Sequence, residues 1–346
     1  MLPSDSEAMN LALRSPSALK RMLPQTENAS LTVEAARESV RRILSKRDQR
    51  LLVVVGPCSI HDEEMAFEYA TRLKRLQQVV KSTLLLVMRA YFEKPRTALG
   101  WNGMINDPYM DGTCDISEGL NRARHLLLKL GEMGVPAGTE FLDPTTPAYL
   151  CDLICWAVVG ARTAESQTHR EMASGIEIPV GFKNSTVGAL SPAINAIKFA
   201  DAPQSFRCID QKGRVCIVRT SGNHWCHIVL RGGRKPNYDA ESINIACQRL
   251  AVSGLTKVVA VDCSHGNSNH DHSHQGSVWR NVISQRVAGN SAIVGLMLES
   301  HLFPGSQPFS GDQSLLAYGV SITDACIGWE ETERLIRWAH EVLSDK

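Results

Sequence analysis

The sequence predicts an α/β fold in which strands and helices alternate along the chain. Short, continuous apolar runs, such as residues 51–55 and 84–88, are typical of strands buried on both faces of a parallel sheet. Apolar residues at helical spacing separate these runs, as between Leu120 and Leu130. The unit recurs about eight times in 346 residues, which is the strand count of a closed (β/α)₈ TIM barrel.

The strand pattern covers eight segments, and one further region departs from it. The eight segments are residues 51–57, 84–90, 137–142, 156–162, 179–184, 227–231, 258–264 and 292–298. Strands that alternate with amphipathic helices form a parallel sheet with right-handed crossovers. Residues 206–209 and 215–220 instead flank Lys212-Gly213 without a helix, which predicts an inserted β-hairpin at about residues 205–221.

The helical segments follow from the same periodicity. Helices are expected to begin at Thr32 and near Asp62, and Ser191-Pro192 to supply an N-cap and a first helical residue. Residues 1–45 are expected to form an N-terminal extension and helix. Within it, residues 1 to about 30 are expected to carry a short helix at residues 18–23 and to be either a disordered tail or an arm for a neighbouring subunit. The catalytic barrel then occupies residues 46–346.

Composition and charge narrow the class of protein. The chain is 43% hydrophobic and 21% charged, which is typical of a globular protein with an ample core. A net charge of +1 and a pI near 7.6 provide no broad positive field for nucleic acid or a membrane surface. No apolar run reaches transmembrane length, and residues 1–17 lack the apolar core of a signal peptide. Ten scattered cysteines without zinc-type spacing then indicate reduced thiols in a cytoplasmic enzyme.

Cationic side chains recur at the carboxyl ends of the predicted strands. They are Arg89, Lys94, Arg96, Arg162, Lys183 and Arg231. Strand ends converge on one face of a barrel, where such enzymes place their active sites. So many cations repel one another unless a ligand brings several negative charges, as two phosphates and a carboxylate would. The alternatives are a solvated basic loop at residues 89–97 and unrelated cations paired with nearby acids.

A second group of strand-end residues has the chemistry of a metal site. It comprises Cys58, His265, Glu299 and Asp324. A thiolate, an imidazole and two carboxylates suit Mn²⁺, Fe²⁺, Co²⁺ or Zn²⁺ with an open position, rather than a closed structural zinc site. Taken singly, the cysteine is more often explained by core packing, and the histidine is as often explained by a structural role. Their shared position at strand ends favours the metal.

Longer stretches of the sequence closely resemble the class I 3-deoxy-D-arabino-heptulosonate 7-phosphate (DAHP) synthases, from about residue 23 to residue 343. The matching motifs are GPCSIHD at 56–62, MRAYFEKPRT at 88–97, GWNGMINDP at 100–108, EFLD at 140–143, GARTAESQTHRE at 160–171, GFKN at 181–184, LRGG at 230–233, PNY at 236–238, DCSHGNS at 262–268, LESHL at 298–302 and YGVSITDACIGWE at 318–330. The resemblance implies a metal-dependent, aldol-like condensation of phosphoenolpyruvate with erythrose 4-phosphate, at the start of the shikimate pathway. It also implies a cytoplasmic homodimer or homotetramer.

The resemblance implies a role for each residue of the two groups. Cys58, His265, Glu299 and Asp324 match the metal ligands. Arg89, Lys94, Arg162, Lys183 and Arg231 match the phosphoenolpyruvate site, with Glu140 nearby, and Arg96 and Thr97 match the erythrose phosphate contacts. Lys94 is expected to donate a proton to the aldehyde oxygen, and Cys58, His265 and Asp324 to act with it in catalysis.

The chain departs from the family pattern in two places. Ser185 replaces a glycine that could have required a positive φ, and Val187 replaces a carboxylate close to the site. The run from His265 to His274 is richer in histidine than the family norm, and either a solvated loop or a second metal site explains it, with the loop favoured. We nevertheless expect activity, because neither substitution removes an assigned charge.

Regulation by an aromatic amino acid is a further implication of the resemblance. The matching effector positions are Asp143, Pro147, Glu177, Phe206, Cys208 and Val218. Related enzymes often carry serine where this chain has Glu177 and Cys208. An ionised Glu177 cannot donate a hydrogen bond to the effector's carboxylate, and Cys208 is a poorer donor than serine. We therefore hypothesise weak inhibition by Phe, Tyr and Trp, or a site retuned to another effector.

Three alternative functions are kept open. A sister enzyme that makes 3-deoxy-octulosonate 8-phosphate would use a longer aldose phosphate, but its relatives differ at residues 94–97. A class II, metal-dependent aldolase would not need this many cations. A catalytically silent, ligand-binding homologue would explain the changes at Ser185 and Val187, although every expected metal and cation position is retained.

Overall fold

The computed structural model describes residues 11–95 and 100–345, and within them eight parallel strands close into a barrel. The strands are β1 Leu51–Gly56, β2 Leu84–Arg89, β3 Ala137–Glu140, β4 Trp156–Val159, β5 Val180–Lys183, β6 Ser205–Ile209, β7 Val215–Arg219, β8 Cys226–Leu230, β9 Val259–Asp262 and β10 Ile293–Glu299. The barrel order is β1-β2-β3-β4-β5-β8-β9-β10, with β10 beside β1. The predicted fold class is therefore confirmed, and the largest boundary difference is at β4, which ends at Val159 rather than at residue 162.

Helices cover the outside of this barrel and its amino-terminal mouth. Their bounds are α1 Pro16–Met22, α2 Glu27–Leu44, α3 Glu63–Val80, α4 Ile116–Glu132, α5 Thr146–Leu150, α6 Gln167–Gly175, α7 Ser191–Asp201, α8 Ala240–Val252, α9 Gln275–Val287 and α10 Trp329–Ser344. No helix of the described segments is both long and apolar enough to cross a lipid bilayer.

Two predicted helix starts were wrong. Helix α2 begins at Glu27 rather than Thr32, because the Thr26 hydroxyl accepts a hydrogen bond from the Ala29 amide and caps the helix five residues earlier. The apolar pattern missed this turn, since only Ala29 is buried there. Helix α7 begins at Ser191 itself, with Leu190 at the N-cap position, so the predicted cap is one residue too late.

Helix α2 belongs to the core of the barrel. Its buried face, including Val40 and Ile43, packs with barrel-interior side chains such as Leu52 and Trp156. The Arg37 guanidinium also donates to the carbonyl oxygen of Ile154, at 2.9 Å, ahead of β4. The segment before β1 therefore closes the amino-terminal end of the barrel, and the opposite end is left for the site.

The hairpin is a separate two-stranded antiparallel sheet of β6 and β7. It packs against the end of α6, where the ring of Phe206 lies 3.3 Å from the position that a Cβ on Gly175 would take. Helix α1 contacts the hairpin turn, since the Ser17 amide donates to the Gln211 carbonyl at 2.8 Å. The insertion predicted from the sequence is therefore present beside the barrel.

Candidate active site

A cavity of about 570 Å³ opens at the carboxyl ends of the barrel strands. Its charged and titratable lining residues are Lys94, Glu140, Arg162, Lys183, Arg231, His265, His270, His272, Glu299 and Asp324. Each of them follows or ends a strand, or lies in a loop that crosses that end, and parallel strands in a closed barrel bring all such ends to one face. Residues spread over 231 positions of the chain, from 94 to 324, therefore share one cavity.

Three of the predicted metal ligands meet at the floor of the cavity. One ligand atom each from Cys58, Glu299 and Asp324 lies within 4.8 Å of the others. The Lys94 ammonium lies 2.7 Å from Cys58 Sγ and 3.1 Å from Asp324 Oδ2, so a cation already bridges this group. Burial raises the pKa of the Cys58 thiol to about 12, and Glu299 adds to the effect. A soft sulfur with two carboxylates fits a divalent transition metal, whose charge would offset both causes.

His265, the fourth predicted ligand, lies on the cavity wall but outside that three-residue group. Its Nδ1 is 3.0 Å from Asp262 Oδ2 and 2.7 Å from the Ser264 hydroxyl. The backbone at His265 has φ of 56°, a left-handed conformation that costs a non-glycine residue energy. Both contacts involve Nδ1 and neither involves Nε2. A metal-binding imidazole usually has this arrangement, in which one ring nitrogen is hydrogen-bonded and the other faces the metal.

Asp262 contacts two of the predicted site residues, Lys183 and His265, although it was not itself predicted to belong to the site. It is fully buried at the end of β9, and its Oδ2 lies 2.8 Å from the Lys183 ammonium. Although burial opposes ionisation, Lys183 and His265 hold the pKa of the Asp262 carboxyl well below its ordinary value. The sequence feature that could have indicated Asp262 is a carboxylate at the end of an otherwise apolar strand, because an unpaired charge is costly at such a buried position.

Two cations of the cavity have no carboxylate partner. Among the described ion pairs, Lys183 and Lys94 each contact an aspartate, whereas neither Arg162 nor Arg231 makes such a contact. Burial lowers the pKa of the Arg231 guanidinium, and repulsion from Arg162 lowers it further. Two mutually repelling guanidinium groups in one cavity form a binding site for a multiply charged anion.

Arg89 does not reach the cavity wall in this structure. Only 1% of its surface is exposed, and its Nη2 donates to Glu299 Oε1 at 3.0 Å. Its Nε donates to the Pro57 carbonyl at 3.3 Å, and the guanidinium lies 4.0 Å from the centre of the Tyr91 ring. The predicted substrate contact therefore lies beneath the cavity, where it holds the carboxylate of Glu299.

Of the remaining predicted substrate residues, one lies in the cavity wall and two are not described by the structure. Glu140 lines the cavity, and its Oε1 occupies the space above Gly160, only 2.2 Å from where a Cβ on that glycine would lie. Arg96 and Thr97 lie outside the described residues.

The loop after β5 accommodates both departures from the family pattern. The backbone of Ser185 does not have a positive φ, so this position does not require a glycine. The Ser185 amide donates to the Ala189 carbonyl and its hydroxyl accepts from the Ala189 amide, each at 3.0 Å. Val187 is 56% exposed and is not part of the cavity wall. Neither side chain therefore blocks the site.

The histidine-rich loop contributes to the cavity mouth. His270 and His272 line it, whereas His274 is exposed outside it. Within the described residues these histidines join no further group of metal-ligating atoms.

The predicted effector residues lie on neighbouring elements away from the metal-ligand group. Pro147 is buried in α5, and Phe206, Cys208 and Val218 are half-buried on one face of the hairpin. Asp143 and Glu177 are exposed. Burial raises the pKa of the Cys208 thiol, and the charge of the Asp143 carboxylate acts in the same direction.

Glu93 connects this region to the cavity. It precedes Lys94, is buried, and accepts hydrogen bonds from the Leu142 and Asp143 amides, each at 3.3 Å. Burial and the nearby Asp143 raise the pKa of the Glu93 carboxyl to about 7. No local pattern predicts this contact, because it joins segments about fifty residues apart.

Comparison with known proteins agrees with this geometry. Residues 26–337 match the DAHP synthetase I family. The Tyr-sensitive phospho-2-dehydro-3-deoxyheptonate aldolase of Escherichia coli K12 is 50% identical over 96% of this chain and 93% of its own length. The Phe-sensitive protein of the same strain is 52% identical over 93% and 92%, and the Trp-sensitive protein is 48% identical over 94% and 93%.

A solved structure extends the likeness to three dimensions. Phospho-2-dehydro-3-deoxyheptonate aldolase from Francisella tularensis SCHU S4 superposes with a TM-score of 0.95 at 41% identity, covering 98% of this chain and 99% of that one. Since the family match spans nearly the whole barrel and the relatives are about half identical to it, this chain belongs to the DAHP synthetase I family.

Proposed function

We propose that this protein is a DAHP synthase, which condenses phosphoenolpyruvate with erythrose 4-phosphate and releases phosphate. The observation that carries the proposal is the pair of unpartnered guanidinium groups, Arg162 and Arg231, in the same cavity as the group of Cys58, Glu299 and Asp324. The full-length relatives bear this activity in their names. Among the described residues, the cations and carboxylates that line the cavity support an active enzyme rather than a silent homologue.

The cationic wall would bind phosphoenolpyruvate, which carries a phosphate and a carboxylate on adjacent atoms. Of the cavity cations that the structure describes, Arg162 and Arg231 have no carboxylate partner. Lys183 contributes a third donor, and Asp262 fixes its position. Binding between fixed cations both orients the enol and stabilises the negative charge of the phosphate that is released. Arg96 and Thr97 would hold the phosphate of the second substrate, as the family resemblance implies.

Cys58, Glu299 and Asp324 would hold a divalent metal, with His265 as the fourth ligand from the cavity wall. When bound, such an ion supplies Lewis-acid polarisation of the aldehyde carbonyl. The protein's part is to position these ligands. Arg89 holds Glu299 from below, and Asp262 holds the His265 ring in one orientation.

Lys94 would donate the proton that the aldehyde oxygen needs as the new carbon–carbon bond forms. Although burial disfavours its charge, the Cys58 and Asp324 groups raise the pKa of the Lys94 ammonium, so it is protonated at neutral pH. Its Nζ lies at the metal-ligand group, on the side of the cavity where the aldehyde would bind. Glu93 and its contacts to the loop after β3 hold the backbone that carries Lys94.

Phosphate release from phosphoenolpyruvate is the direct test. We expect release with erythrose 4-phosphate and little with arabinose 5-phosphate, complete loss after exhaustive chelation, and recovery on adding Mn²⁺. Full activity in protein shown by elemental analysis to contain no metal would contradict the metal role. Preference for the five-carbon substrate would instead support the sister enzyme.

Cys58→Ser should weaken metal binding while the fold stays intact, because a serine oxygen is a poor replacement for a soft thiolate. The measurement is bound metal per chain at a fixed free concentration, with circular dichroism as the check on folding. Cys155→Ser is the matched control, since Cys155 is also fully buried but lies among the interior side chains of the barrel. Equal metal content in both variants would remove Cys58 from the ligand set.

We further propose that aromatic amino acids act at the cleft between the hairpin and residues 143–147. The relatives include Tyr-, Phe- and Trp-sensitive enzymes, but this chain carries Glu177 and Cys208 where a serine donor would assist an effector carboxylate. We expect weak inhibition by all three amino acids and stronger inhibition of Glu177→Ser. Strong inhibition of the native protein at micromolar concentrations, or an unchanged curve in the variant, would refute this. We place the enzyme in the cytoplasm as a homodimer or homotetramer, which light scattering can measure.

A further inference from the structure

Two cysteines lie directly opposite each other on the hairpin. In the antiparallel ladder of β6 and β7, Cys208 pairs with Cys216. At the base of the hairpin the Thr220 amide donates to the Gln204 carbonyl at 2.9 Å, and hydrogen-bonded pairs then recur at every second position. Cys208 and Cys216 therefore form a hydrogen-bonded pair, whose Cα atoms lie about 5.5 Å apart. Disulfides commonly have a Cα separation of about 5.5–6 Å, so the Cα atoms of this pair are already at a spacing that a disulfide can bridge.

Both thiols point to the same face of the hairpin. Residues with even numbers, including Phe206 and Val218, are half-buried on the face toward the barrel, whereas Val215 and Ile217 on the other face are 78% and 73% exposed. Cys208 and Cys216 belong to the half-buried face, and both are free thiols. Burial raises the pKa of the Cys208 thiol, and Cys216, its partner across the ladder, raises it further. Closure therefore requires that the two side chains turn toward each other and that their Cβ atoms approach to about 3.8 Å.

We propose that Cys208 and Cys216 are a redox-modification site, at which a low-molecular-mass disulfide such as oxidised glutathione closes a reversible disulfide across the hairpin. One protein thiolate attacks the glutathione disulfide, forms a mixed disulfide and releases one glutathione. The second protein thiolate then attacks the protein sulfur of the mixed disulfide, closes the Cys208–Cys216 bond and releases the second glutathione. The two thiol protons pass to the two glutathione thiolates, and a dithiol reductant reverses both steps.

The consequence of closure rests on the effector cleft proposed above. Cys208 lies on the half-buried face of the hairpin that adjoins the proposed cleft, and in the reduced state its thiol can donate a hydrogen bond. In the disulfide the donor is gone, and β6 and β7 are covalently joined next to the cleft. The redox state of the hairpin would then change the response to an aromatic amino acid, while Lys94, Cys58 and the cavity cations keep their positions.

The pair itself is tested on the folded, full-length protein in glutathione buffers of increasing oxidised fraction, followed by alkylation and peptide mapping. We expect a linked peptide that contains Cys208 and Cys216, which disappears with dithiothreitol. In Cys208→Ser and Cys216→Ser the remaining cysteine should carry a glutathione instead. Exposed Cys114 reports that the oxidant is active. Glutathione on Cys114 with no linked hairpin peptide would overturn the proposal.

The consequence is tested by inhibition curves for Phe, Tyr and Trp with oxidised and reduced protein, each expressed relative to the uninhibited rate of the same sample. This normalisation removes any loss caused by oxidation at Cys58. We expect at least a twofold shift of the half-inhibitory concentration for one amino acid, and no shift in Cys216→Ser. Closure with identical curves would refute the switch. If no amino acid inhibits the oxidised or the reduced protein, the proposals of an effector cleft and of a switch are both refuted. The peptide map still tests whether Cys208 and Cys216 form a disulfide.

Discussion

Removing the charge of Arg89 is expected to destabilise the fold as well as the site. Arg89 and Glu299 are 1% and 3% exposed, and 3.0 Å separates their paired atoms. In Arg89→Met the carboxylate of Glu299 would lose its nearest cation while remaining buried, which typically costs about 3–5 kcal/mol. Methionine fills a similar space, so the loss comes mainly from the charge and from the lost contact with the Tyr91 ring.

This free energy corresponds to a measurable change in melting temperature. An unfolding entropy of about 2.1 cal/mol/K per residue gives roughly 0.7 kcal/mol/K for 346 residues. A loss of about 3–5 kcal/mol therefore lowers Tm by roughly 4–7 °C. The assay is thermal unfolding after chelation, so that metal binding by Glu299 does not contribute.

A double-mutant cycle isolates the ion pair. Glu299→Gln alone should also lower Tm, because it leaves the Arg89 guanidinium buried without its carboxylate. The double variant, Arg89→Met with Glu299→Gln, should lose less than the sum of the two single losses, since it buries no unpaired charge. A Tm for Arg89→Met within about 1 °C of the native value, or strictly additive losses, would refute the reasoning.

Three further predictions follow from individual positions. The double variant Ser185→Gly/Val187→Asp should have kcat and KM within about twofold of the native values, because neither native side chain strains the loop or lines the cavity. If the native protein were inactive and this variant active, the silent homologue would be favoured. Folding raises the pKa of the Glu93 carboxyl from 4.5 to about 7, so ionisation of this group opposes folding. The free energy of unfolding is therefore unaffected below pH 4.5 and falls by about 3 kcal/mol as the pH rises through 7. Tm measured from pH 5 to 8.5 should therefore fall more steeply in the native protein than in Glu93→Gln, and parallel curves would contradict the assignment. Gly222→Ala places a Cβ 2.0 Å from a facing carbonyl oxygen at a φ of 91°, and should lower the free energy of unfolding by about 2–4 kcal/mol. Gly254→Ala is the control, because its φ is 74° but the space around it is open, and should cost about 1 kcal/mol. Equal losses of Tm in the two variants would show that the close contact at residue 222 is relieved.

Much of the fold could be predicted from the sequence because the relevant patterns are local. A buried strand such as β1 is a continuous apolar run, and the Asp62 cap of α3 is visible as an acid ahead of a helical pattern. The hairpin was recognisable because Lys212-Gly213 separates two short strand patterns. The early start of α2 was not, since a single turn capped by Thr26 carries too few buried residues to show a period.

The candidate site divides differently. The sequence alone determined which chemical groups end the strands, and the closed barrel makes those ends converge, so the cavity and its charges were predictable. Only the tertiary structure decided how these charges are paired. Arg89 is neutralised by Glu299, which lies 210 positions away, and Lys183 by Asp262, so that Arg162 and Arg231 are left for an anion. A sequence pattern reports the burial and backbone conformation of neighbouring residues, whereas an ion pair depends on distances of a few ångströms between strands that meet only in the folded barrel.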